Sequence, residues 1–125
     1  MVVEKKVLLV DDEQDILDLL SYNFRKRGYT VQTAHDGSEA LSEMTAFIPD
    51  IIVSDILMPN ITGIGFCRLL KKDERYKNIP IIFLSAANDD LIALSSIEAG
   101  GARYLSKPIH MDLLFDVVRK IEQAA

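Results

Sequence analysis

The strongest constraint on what this chain can fold into is an alternation. Short apolar runs, several ending on acidic or hydroxyl residues, take turns with longer segments whose apolar residues recur at helical spacing. Lys6–Val10 (KVLLV) is a continuous apolar run, as a strand buried on both faces would read. Glu13–Lys26 follows, with Ile16, Leu17, Leu19, Leu20 and Phe24 at helical spacing. Gly28 sits just past its end, where helix C-termini favour glycine. Thr30–Ala34 is short and β-branched, and Asp36-Gly37 marks a turn. Ser38–Phe47 reads as a helix stopped by Pro49. Ile51–Ser54 is a buried strand, Gly63–Lys72 a helix, and Ile79–Leu84 a strand with Pro80 near its start. Asp89–Ala99 reads as a helix ending at Gly100-Gly101, Ala102–Ser106 as a short last strand, and Met111–Gln123 as a last helix. Five strands alternating with five helices predict an α/β fold, a parallel sheet with helices on both faces joined by right-handed crossovers.

At 125 residues the chain is expected to form one domain, 1–125, with any regulated output in another chain or left out of this one. Its formal net charge is −5, which argues against a broad nucleic-acid-binding face, because phosphate contacts need clustered Lys and Arg. The single cysteine, Cys67, excludes an internal disulfide framework and fits a reducing, cytoplasmic compartment. No apolar run approaches the roughly 18–20 residues of a membrane span, so no membrane contact is expected. The N-terminus lacks the core and cleavage site of a signal peptide.

In open parallel sheets the site lies outside the carboxyl ends of the strands, at the switch in strand order. The first strand is followed by Asp11-Asp12-Glu13, the third by Asp55, the fourth by Ser85, and the fifth by Ser106-Lys107-Pro108. Crowded together, Asp11, Asp12 and Asp55 repel one another and raise at least one pKa, a conflict that a hard divalent cation relieves. Lys107 is a compact cation for a carboxylate or for a phosphoryl group upon it, and Ser85 supplies a hydroxyl donor. This inventory suits phosphoryl transfer with a carboxylate as nucleophile. Each member alone is ordinary: Asp-Asp starts many solvated helices, Asp55 suits a turn, Ser85 a cap, and Lys-Pro a turn. The joint set at successive strand ends is what points to a site.

Those residues resemble a known family. Val7–Glu13, Asp55-Ile56-Leu57-Met58-Pro59, Gly63, Ser85-Ala86 and Lys107-Pro108 are similar to the receiver domain of two-component response regulators. Gly28-Tyr29, Ala34, Asp36-Gly37, Glu39-Ala40-Leu41 and Ala99-Gly100 ahead of Tyr104-Leu105 extend the likeness from about Lys5 to Ile121. The resemblance implies a flavodoxin-like, doubly wound five-stranded parallel sheet of order 2-1-3-4-5 with five helices. It implies Asp55 as phosphoacceptor, phosphorylated by a histidine kinase, a phosphotransfer protein or a small phosphodonor. It implies Mg²⁺, with Mn²⁺ as a substitute, held by Asp11 (through water), Asp12, Asp55 and the Leu57 backbone carbonyl. Lys107 would contact the phosphoryl group, with a cis peptide bond to Pro108. Ser85 and Tyr104 would form a switch pair, read out on the face of the fourth helix, fifth strand and fifth helix by a downstream effector, a missing output domain or a second copy. The role is a switch rather than a conventional enzyme, although the domain would catalyse its own phosphorylation.

Three departures matter. Ser85 stands where threonine is commoner, and Ile109-His110 where an aromatic is common. Leu57 and Ala87, two positions beyond Asp55 and Ser85, are apolar and cannot orient an attacking water, which predicts slow self-dephosphorylation. Three rivals stay open. An aspartyl-phosphate phosphatase would want an acid at position 57. A flavin or nucleotide binder would want a Gly- or Ser/Thr-rich phosphate loop after the first strand. A degenerate receiver would serve only for binding. Cys67 reads as a small buried hydrophobe, and His110 as solvated.

Overall fold

Burial on both faces explains why the three central strands read as apolar runs. The computed structural model describes residues 4–56, 61–85 and 103–124. Within them lie β1 (Lys5–Val10), α1 (Gln14–Lys26), β2 (Tyr29–Ala34), α2 (Gly37–Glu43), β3 (Ile51–Asp55), α3 (Gly63–Lys71), β4 (Ile81–Ser85), β5 (Arg103–Ser106) and the last helix, α4 (Met111–Ala124). The five strands are parallel in the order β2-β1-β3-β4-β5. Four helices stand among the described residues; the helix expected over Asp89–Ala99 lies outside them.

Successive strand residues point to opposite faces, so each strand feeds two cores. On one face Leu8, Val10, Ile52, Ile81 and Phe83 meet Ala40 of α2 and Phe66, Cys67 and Leu70 of α3. On the other, Val7, Leu9, Val53, Ile82 and Leu84 meet Leu17, Leu20 and Phe24 of α1 and Leu114, Phe115 and Val118 of α4. Cys67, the single cysteine, is fully buried and packs in this core as a small hydrophobe.

Several boundaries differ from expectation for local reasons. The helix expected over Ser38–Phe47 ends at Glu43, because Thr45 turns its hydroxyl onto the Ser42 carbonyl and the next amides bond three residues back. Ile79 and Pro80 precede β4 rather than opening it, although the Pro80 carbonyl still accepts from Ile52 N–H at 3.0 Å. β3 and β4 each run one residue further than the apolar pattern, so Asp55 and Ser85 are the last residues of their strands. Gly28 closes α1 with φ +87°, a conformation that costs glycine least.

The amino ends of the strands form a second polar region. Glu122 of α4 accepts hydrogen bonds from the Tyr29 hydroxyl and, at 2.8 Å, from Lys5 Nζ. Burial opposes ionisation of Glu122, yet these two donors hold its carboxyl below the usual range. Burial and the adjacent carboxylate push the Tyr29 hydroxyl up. A hollow of about 700 Å³ opens here between Lys5, Ile51, Pro80, Arg103, Ile121 and Glu122.

Candidate functional site

At the opposite end of the sheet the strand termini bring acids together. β1 stops at Val10, and the Asp11 amide donates to the Ala34 carbonyl of β2 at 3.1 Å, which turns the Asp11 side chain inward to full burial. One Asp11 oxygen accepts from the Glu13 amide at 2.9 Å at the entry to α1. The other faces Lys107 Nζ at 3.1 Å. Asp55, buried at the end of β3, accepts from the Ile56 amide at 2.8 Å through Oδ1 and lies 3.5 Å from Lys107 Nζ through Oδ2. Asp12 is exposed at the rim. One carboxylate oxygen from each of Asp11, Asp12 and Asp55 lies within 4.8 Å of the other two.

The adjoining backbone needs a residue without Cβ. The Gly63 amide donates to the Ile56 carbonyl at 2.8 Å, drawing the start of α3 against the end of β3. A Cβ on Gly63 would sit 2.2 Å from the Asp55 carbonyl oxygen, so only glycine permits the approach. Thr62 caps α3 by accepting from the Gly65 amide at 3.0 Å.

Lys107 follows β5 and reaches back over the site. Its amide donates to the Ser85 carbonyl at 2.6 Å, tying the lysine to the end of β4, and its peptide bond to Pro108 is cis. Ser85 is buried opposite Ser106 in the β4–β5 ladder. Tyr104 stands opposite Phe83, half-buried against the core beneath α2 and α3. Ser85 and Tyr104 therefore share the β4–β5 edge. Leu57 and Ala87 lie outside the described residues.

The electrostatics are conflicted. Burial first, and the Asp11 charge second, push Asp55 up to about 6; Lys107 only partly offsets them. Burial likewise raises Asp11, against the Glu13 amide and Lys107. Burial disfavours the Lys107 ammonium, but the hydrogen bond to Asp11 and the charges of Asp55, Asp11 and Glu13 outweigh it and hold the lysine above its ordinary value. A buried ionisable carboxylate beside a compact cation, with two further acids converging, can accept a group at Asp55 and hold a hard divalent cation.

The strand-end pattern thus brings Asp11, Asp12, Asp55 and Lys107 to one point, with Ser85 tied to Lys107 through the backbone. It misses two contributors. The Ile56 amide carries no side-chain signal. Glu13, read as part of a helix start, lies 3.7 Å from Lys107 Nζ, and only its place beside Asp11-Asp12 hinted at this.

Residues 7–119 match the family model of the response regulator receiver domain. Over 106 residues, 85% of this chain, the sequence is 39% identical to the alkaline phosphatase synthesis transcriptional regulatory protein PhoP of Bacillus subtilis, of which the match covers 43%. It is 32% identical over 93% of the chain to the DNA-binding dual master transcriptional regulator RpaA of Synechocystis, of which 48% is covered. The chain thus spans less than half the length of these two relatives. Solved structures match along nearly their whole length. The chemotaxis response regulator CheY4 of Vibrio cholerae superimposes with a TM-score of 0.88 at 31% identity, covering 95% of this chain and 99% of that one. A putative response regulator from Chloroflexus aurantiacus gives 0.90 at 32% identity, covering 95% and 98%.

Proposed function

The chain belongs to the receiver domains of two-component response regulators, and from that premise we propose that it is a phosphorylation switch whose phosphoacceptor is Asp55. The observation that carries this reading is the buried Asp55 carboxylate, pushed up by its surroundings and set 3.5 Å from Lys107 Nζ. A histidine kinase, a phosphotransfer protein or a small phosphodonor supplies the phosphoryl group. An Asp55 oxygen attacks phosphorus, the bond from phosphorus to its donor breaks, and the donor leaves with the electron pair. Lys107, tethered by the Ser85 carbonyl, pairs with the phosphoryl oxygens, and the Ser85 hydroxyl supplies a further donor.

The donor set fits Mg²⁺, or Mn²⁺ in its place. Three carboxylates with oxygens within 4.8 Å of one another are hard ligands whose mutual repulsion a divalent ion relieves. Asp12, Asp55 and the Leu57 carbonyl would hold it directly and Asp11 through water. When bound it neutralises charge that develops on the phosphoryl oxygens. Phosphorylation draws Ser85 inward, Tyr104 rotates toward the vacated space, and the face of the Asp89–Ala99 segment, β5 and α4 changes partner, whether an effector, an output domain or a second copy. The domain acts in the cytoplasm as a switch rather than a conventional enzyme. Because Leu57 and Ala87 are apolar, the aspartyl phosphate hydrolyses slowly. Incubation with acetyl phosphate and Mg²⁺ is expected to add one phosphoryl group by intact mass, and Asp55→Asn to add none; equal labelling of the variant contradicts the reading, as does a phosphoryl half-life of seconds.

A further inference from the structure

Glu13 is the acid of the Asp11-Asp12-Glu13 run that stands outside the three-carboxylate cluster. It occupies the N-cap of α1, yet its side chain makes no capping hydrogen bond. Short oxygens of Ser, Thr, Asp or Asn serve that position best, because they reach the orphan amides of the first turn. The Glu13 carboxylate instead lies 3.7 Å from Lys107 Nζ. Its side chain is 63% exposed, whereas that of Lys107 is 11% and that of Asp55 8%. Glu13 therefore stands at the mouth of the site, between solvent and the lysine, and helix capping does not explain it.

We propose that Glu13 is a specificity-determining residue that selects among small phosphodonors by their charge. The proposal rests on the receiver reading above. With acetyl phosphate, the Asp55 oxygen forms a bond to phosphorus, the phosphorus–oxygen bond to the acetyl group breaks, and acetate departs with the electron pair. With phosphoramidate the phosphorus–nitrogen bond breaks and ammonia departs. Near neutral pH acetyl phosphate is a dianion, and phosphoramidate carries one negative charge fewer. A fixed negative charge at the mouth opposes entry of both, and of the dianion more, and it competes with the donor for Lys107.

The test compares the full chain with Glu13→Gln, Glu13→Asp and Glu13→Ser, in Mg²⁺, with each donor at low and high salt. At low ionic strength Glu13→Gln is expected to raise the second-order rate with acetyl phosphate about fivefold and with phosphoramidate about twofold, and both gains should fade near 1 M salt. Glu13→Asp keeps the charge and stays within about twofold of the parent. Glu13→Ser removes the charge while supplying a capping oxygen to α1, so it should reproduce the gain of Glu13→Gln even where loss of the carboxylate weakens the helix start. No gain, an equal gain with both donors, or a gain that survives high salt overturns the proposal. A parent protein that takes up no phosphoryl group from either donor overturns the receiver reading with it, which separates the two failures.

Discussion

The two ends of this sheet handle their charges in opposite ways. At the amino end Glu122 accepts from Lys5 and from Tyr29, and its carboxyl is held below the usual range. At the carboxyl end Asp11, Asp55 and Glu13 share one ammonium, and Asp55 and Asp11 are both raised. One arrangement is satisfied as it stands; the other keeps a standing demand for positive charge. The same backbone topology produces both, so the difference comes from the residues placed at the strand ends. The lesson is that the stable end fastens the last helix, while the unsatisfied end is the one equipped for chemistry.

The comparison can be broken most forcefully at Lys107. In Lys107→Met, without divalent ions, the buried Asp11 and Asp55 lose their shared cation, and the domain should lose about 3 kcal/mol at neutral pH. The loss should shrink near pH 5, where the carboxyls take up protons. Urea denaturation at the two pH values checks this, and a neutral or stabilised variant would show that the lysine relieves no conflict.

A smaller effect of opposite sign is expected at Asp55. Its carboxyl is raised from 3.8 to about 6, so the folded state favours the protonated form. The stability linked to that proton is fully present below about pH 4 and lost as pH rises through about 6. Metal-free Asp55→Asn should therefore be more stable than the parent by about 1–2 kcal/mol at pH 7, with the difference fading toward pH 4. Thermal melts across pH measure it. Saturating Mg²⁺ should raise the melting temperature of the parent and raise that of Asp55→Asn much less.

The smallest effect lies at the satisfied end. Glu122→Gln keeps an acceptor for Tyr29 but loses the charge facing Lys5, and should cost about 0.5 kcal/mol in a partly exposed setting. Because the Glu122 carboxyl is held low, its contribution is present at neutral pH and lost as pH falls through the acidic range. Uptake of phosphoryl groups by Glu122→Gln should match the parent. A larger stability loss here than at Lys107 would reverse the contrast between the two ends.

Much of this is legible in the amino-acid sequence. Strands β1 and β3 declared themselves because burial on both faces leaves no polar positions within VLLV or IIV. Asp11, Asp12, Asp55 and Lys107 converge because a parallel sheet aligns its strand ends, and that topology follows from the alternation. What sequence could not show depends on approach in three dimensions. Helix α2 ends early through a Thr45 hydroxyl that could as easily have faced water. Gly63 is glycine because α3 starts against the Asp55 carbonyl, a closeness set by packing. Glu13 meets a lysine 94 positions away, and Ile56 contributes through its backbone alone. The proposed switch pair is legible only in part: Ser85 and Tyr104 lie on adjoining strands, and the segment that follows Ser85 lies outside the described residues.

The central claim is that the phosphoryl group resides on the carboxylate at the end of β3. An acyl phosphate is reduced by borohydride to a primary alcohol, whereas a free carboxylate is not. The full chain, treated with acetyl phosphate and Mg²⁺, reduced with borohydride and digested, should therefore show the alcohol by peptide mass spectrometry at position 55, with Asp11 and Asp12 unchanged. Reduction at Asp11, Asp12 or another acid with position 55 intact contradicts the claim, as does a chain that carries no reducible acyl phosphate.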